Sequence, residues 1–180
     1  MDSNFLYGLV GVILGAAISG LVSWKIAIRN EKFQREDKLR ERIANGLVLS
    51  VALLDSFHNF RPLLIVQTQI GLKINEDHKQ KILKAIETYD AAKSMQYLLP
   101  KELRIRWDQM LILISEYQSL SGEDSIVMNR ATCDVQNYIL YVRNSLIDVL
   151  DSKSLRKDQK RPYLNRKDVQ NWEEDVATTN

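Results

Sequence analysis

Apolar and polar positions alternate along this chain at three and four residues, and nowhere at a sustained two, so the pattern predicts helices and no strands. The run from Phe5 to Trp24, FLYGLVGVILGAAISGLVSW, is 20 residues without a charge. At about 1.5 Å per residue it spans about 30 Å, the thickness of a bilayer's hydrocarbon core. From Arg42 onward the pattern changes to amphipathic. Ile43, Leu47, Val51 and Leu54 predict one core stripe, ending near Phe60 because Pro62 disfavours helix before it. Pro62 to Ile70 reads as a short helix closed by Gly71. Asn75 caps a longer one through Ile82, Ile86 and Tyr89 to Leu99, with Glu76 and Asp77 in the first turn, where the helix dipole favours acids. Pro100 opens a third, whose seam is Leu103, Trp107, Met110, Ile114 and Tyr117. Ser121 to Asp124 breaks it. The last helix, to Leu150, carries Met128, Ala131, Val135, Tyr138, Val142 and Val149, with Ile139 and Leu146 beside them.

The fold class expected is therefore all-α: a single N-terminal transmembrane helix followed by a cytoplasmic antiparallel helical bundle. The divisions are a short extracytoplasmic N-terminus at 1–4, the transmembrane helix at 5–24, a basic helical stalk at 25–42, the bundle at 43–151 and a charged tail at 152–180. MDSN before the apolar run has no Lys or Arg, and Trp24-Lys25-Ile26 follows it in place of a small-residue cleavage site, which argues for an anchor over a signal peptide. Asp55, His58, Asn59 and Arg61 favour a core helix over a second span for residues 46–66, since charges are costly at mid-membrane.

Charge orients the span. Overall the chain is nearly neutral, with 25 Lys and Arg against 23 Asp and Glu among 180 residues. Locally it is not. Lys25, Arg29, Lys32, Arg35, Lys38, Arg40 and Arg42 follow the span and none precedes it, so the N-terminus is expected outside and the bulk in the cytoplasm. Tyr7, Trp24, Lys25 and Arg29 are the candidate membrane-interface residues. Glu31 with Arg35, and Glu36 with Arg40, are favourable i,i+4 pairs on the stalk. Gly11, Gly15, Ser19 and Ser23 form a row of small residues at intervals of four, which lets membrane helices approach closely. That row predicts a homo-oligomer or packing on another membrane protein. A second basic stretch, residues 153–167, holds Lys153, Arg156, Lys157, Lys160, Arg161, Arg166 and Lys167 against Asp158 alone. With Trp172 on a short helix from Asn165 to Val176, it is the candidate docking element for membrane lipids or a partner. A solvated tail is the plainer expectation, and nucleic acid is the weakest.

Chemistry is sparse. No phosphate-binding glycine loop, GxSxG or HExxH motif occurs. One cysteine, Cys133, excludes a disulfide framework and lacks a nucleophile's motif. Asp55 and His58 share a helix face, but a metal site needs further inward carboxylates, so neither metal nor cofactor is expected. These observations point to a non-catalytic, membrane-tethered scaffold, adaptor or regulatory subunit acting through protein contacts and self-association. The alternative is an oligomerising effector that perturbs or conducts through the membrane when its bundle senses a trigger.

Overall fold

A computed structural model describes the backbone of residues 3–60, 76–120 and 125–164, with the side chains of all of these but residues 3–15, Ala17, His58, Phe60, His78 and Ser125. Among them are four helices and no strand: α1 (Ser3–Ser56), α2 (Glu76–Gln96), α3 (Lys101–Ser119) and α4 (Ser125–Leu150). The chain is all-α. It divides into two compact units, residues 1–41 and 42–180.

In the first unit every described side chain is exposed. On the stalk Glu31 accepts from Arg35, as its spacing predicts, but Glu36 meets Lys32 (3.9 Å) in place of Arg40. Among the described residues no helix is long and apolar enough to cross a membrane. Most of the apolar run 5–24 has its side chains outside those residues.

The second unit is a four-helix bundle built by the last four turns of α1 and by α2, α3 and α4. Helix α1 gives way at Phe57 to a 3-10 turn, Phe57–Phe60. Helix α2 opens on Glu76 and Asp77 and ends with Lys93 in its last turn, each matched to the dipole. Pro100 sits at the N-cap of α3, where its missing N–H costs nothing and its carbonyl accepts the first helical bond, from Arg104 N (2.8 Å). Neighbouring helices run antiparallel, as cross-contacts show. Ala92 O accepts from Trp107 Nε1 (2.8 Å), and Leu111 O, one turn later on α3, from the earlier Tyr89 hydroxyl (3.2 Å). Likewise Arg106 meets Ser145 (2.8 Å) and Tyr117 meets Thr132 (3.0 Å) across α3 and α4.

The predicted seam of α3 is buried throughout, as are Met128, Ala131, Val135, Tyr138, Ile139, Val142 and Leu146 of α4. Two stripes differ from expectation. On α1 the buried line runs through Ile43, Gly46, Ser50, Leu53 and Phe57; Leu47 and Leu54 flank it and Val51 is exposed. A Cβ at Gly46 would lie 3.6 Å from the methyls of Leu99 and Leu146, so small residues bring this helix close to its neighbours. On α2 the buried set is Ile82, Ala85, Ala92 and Met95, while Ile86 and Tyr89 are half-buried. In both helices small side chains, which a hydrophobic pattern discounts, mark the contact.

Candidate functional site

The two sides of α3 carry the features that best distinguish this bundle. One side meets α4 and the chain that follows it. Helix α4 ends in a Schellman motif: Lys153 N donates to Asp148 O (2.8 Å) and Ser152 N to Val149 O (3.1 Å). Ser152 takes the left-handed conformation this requires (φ 56°), unusual for a residue with a Cβ. The chain is thereby turned back, and residues 153–164 run without regular structure over the bundle as a strap. Leu155 packs against the core, and Pro162 and Leu164 are buried.

Arg106 is the post to which the strap is fastened. Its side chain is only 8% exposed. It donates to Ser145 Oγ (2.8 Å) and to the strap carbonyl of Arg156 (2.7 Å), lies 3.5 Å from Asp158, and stacks its guanidinium 5.2 Å above the Tyr141 ring. The Tyr141 hydroxyl accepts from Gln159 N (3.1 Å) and donates toward Lys157 O (3.2 Å), with Asp158 Oδ1 at 3.3 Å. Arg156 donates to both oxygens of Asp148 (2.6 and 3.2 Å), a forked pair that holds the Asp148 carboxyl below the usual carboxylate range. Arg161 reaches Glu116 near the other end of α3. Burial pushes the Tyr138 phenol beneath this cluster well up.

The opposite side of α3 faces α2 across a groove of about 750 Å³ that is open among the described residues. Tyr89, Lys93, Tyr97, Asp108, Ile112 and Glu116 line it. Tyr97 is 73% and Ile112 44% exposed. Lys93 stacks over the Tyr89 ring at 4.6 Å. Asp108 Oδ1 is buried with no hydrogen-bond partner among the described residues. Burial raises the Asp108 carboxyl above its ordinary value, and the Arg104 charge opposes this only in part.

The residues singled out from sequence fall as follows. Ser19, Ser23, Trp24, Lys25 and Arg29 are exposed on α1, with Arg29 over the Phe33 ring at 5.5 Å. Gly11, Gly15 and Tyr7 belong to α1, but their side chains lie outside the described residues, as do those of His58 and His78. Within the basic stretch, Lys153, Arg156 and Arg161 are each paired with an acid, Asp151, Asp148 and Glu116, although Lys153 and Arg156 stay exposed. Lys157 and Lys160 are exposed on the strap, and Arg166, Lys167 and Trp172 lie outside the described residues. Cys133 is exposed on α4. Among the described residues no cluster of three His, Cys, Asp or Glu could hold a metal ion. The latch around Arg106 and the groove around Asp108 were missed. A signal for the first exists: Arg106, Met110, Leu113 and Tyr117 share a 4-3-4 spacing, so a cation occupies one position of an otherwise buried stripe.

The chain matches no known family model, no curated protein and no solved structure.

Proposed function

We propose that this protein is a membrane-tethered, non-catalytic scaffold or regulatory subunit, anchored by residues 5–24, with its bundle in the cytoplasm and its work done through protein contacts. One observation carries the reading. Ile18, Leu21, Val22 and Trp24, at the end of the charge-free run, are each more than half exposed, and seven exposed cations follow. A contiguous apolar surface of this kind is unfavourable in water and natural in lipid, with the cations at the headgroups. The small-residue row Gly11, Gly15, Ser19 and Ser23 supports self-association or packing on another membrane protein.

The test is extraction of membranes at high pH, combined with a reporter fused after Asn180. The protein should stay in the membrane pellet and the reporter should be shielded by the cytoplasm. Release into the supernatant would overturn the anchor, and an extracellular reporter would overturn the orientation. In detergent, replacing Gly11 and Gly15 with Leu should lower the mass measured by light scattering; an unchanged mass would remove the small-residue row from the assembly.

A further inference from the structure

On the stalk, one face of α1 has the spacing of a seam between two helices. Ile26, Asn30, Phe33, Asp37 and Arg40 follow one another at four, three, four and three residues, so they line one side of the helix over two heptads. All five are exposed, Ile26 and Phe33 by half or more. Ser19 and Ser23 precede them at the same spacing. A helix in water draws most of its stability from packing one of its faces, yet every described side chain of this unit is exposed.

Charge selects the face and what covers it. The opposite side of the stalk also carries exposed apolar residues, Ile28 and Leu39, but Lys32 and Arg35 stand between them. A second copy laid there in register would set like cations against each other, which repel. On the first face both signs occur. Glu36 is taken by Lys32, so Arg40 has no ion pair among the described residues, and Asp37, three residues before it, has none either. Between parallel copies in register, successive layers of a seam interleave, so Asp37 of each copy lies beside Arg40 of the other and two ion pairs form. Asn30 falls between the layers of Ile26 and Phe33. A lone Asn in an apolar seam meets its own counterpart, which fixes the register and favours two strands over more.

We propose that the stalks of two copies of this chain pair side by side, parallel and in register, through Ile26, Asn30, Phe33, Asp37 and Arg40. The parallel direction rests on the anchor proposed above, because two chains held at the same end in one membrane point the same way. The stalk, and not the membrane run alone, then sets the number of copies at two.

The test uses the full chain in its membranes, in a Cys133→Ser background, with single introduced cysteines and a mild oxidant. Phe33→Cys, on the seam, should give about tenfold more disulfide-linked dimer than Ile28→Cys, on the opposite face, where the Cβ vectors of two paired helices point apart. Asp37→Arg should lower the Phe33→Cys yield about threefold, and adding Arg40→Asp, which exchanges the two charges, should restore it. Equal yields at the two positions, or a Phe33→Cys yield that Asp37→Arg leaves unchanged, would overturn the seam. So would a greater yield at Ile28→Cys, the result expected if only the nearer membrane run held the copies together. A product whose mass is not twice that of the chain would put another protein on this face and overturn the pairing of copies. The fraction in which the protein sediments is read in the same samples: release from the membrane would overturn the anchor, while the ratio of the two yields still judges the seam.

Discussion

Arg106 and Asp108 stand two residues apart on the same helix and meet opposite fates. Arg106, the longer side chain, is almost fully buried, yet Ser145, the Arg156 carbonyl, Asp158 and the Tyr141 ring satisfy it from α4 and the strap. Asp108 faces α2, partly buried, with one oxygen lacking a partner among the described residues. The first charge is costly to bury alone and tolerable only inside a complete network. The second is held in a groove that nothing described covers. One side of α3 is closed by α4 and the strap; the other is open among the described residues.

The largest effect that would break this contrast is loss of the strap. A chain ending at Asp151 forfeits the burial of Leu155, Pro162 and Leu164 with the bonds around Arg106 and should lose about 3 kcal/mol or more of unfolding free energy. A chain ending at Leu164 should keep the wild-type transition to within about 1 kcal/mol. Denaturant unfolding followed by circular dichroism compares them, and equal losses would make the strap dispensable.

Next come the two charges themselves. Arg106→Leu leaves Ser145 and the Arg156 carbonyl without their donor and should cost about 2–3 kcal/mol. Asp108→Asn, relieved of an ill-solvated charge, should be neutral or stabilising by up to about 1 kcal/mol. If both variants destabilise equally, the two sides of α3 are not different in kind.

Acid sharpens the same comparison, because the two aspartates shift in opposite directions from the ordinary value of 3.8. Asp148 is lowered in the fold, so its contribution is present above 3.8 and is lost as pH falls through its lower folded value. Asp108 is raised, so its ionised form is a cost that begins to lift above 3.8, as pH falls through its higher folded value. Stability measured from neutral pH downward should therefore show a shallow gain that Asp108→Asn abolishes, followed below 3.8 by a loss that Asp148→Asn abolishes. A single monotonic fall, the same in both variants, would contradict these assignments.

The smallest effect lies at the hinge of the strap. Ser152→Gly removes a left-handed Cβ from the Schellman position and should add about 1 kcal/mol to stability. A loss in the same unfolding assay would mean that the turn relies on the serine side chain.

Much of the fold was legible because its signals are local. Pro100, the acidic start of α2 and the seam of α3 act within a turn or two of the residues they organise. The stripe of α1 was misplaced because Gly46 and Ser50 carry no hydrophobic signal, although close packing at 3.6 Å is what puts them inside. The strap was read as a charged tail because an extended segment has no helical period. Its cations meet acids that sequence proximity does not indicate, Arg161 with Glu116 above all.

By itself the sequence indicated that Pro100 opens α3, which stripes of α3 and α4 are apolar, and that a charge-free run precedes a cluster of cations, for these are properties of neighbouring residues. Only the tertiary structure decided that Arg106 is satisfied, that Asp108 Oδ1 goes unbonded among the described residues and that the strap lies down over the bundle. The cost of a buried charge depends on which groups surround it in space, and two of those around Arg106, Ser145 and the Arg156 carbonyl, stand 39 and 50 residues away along the chain.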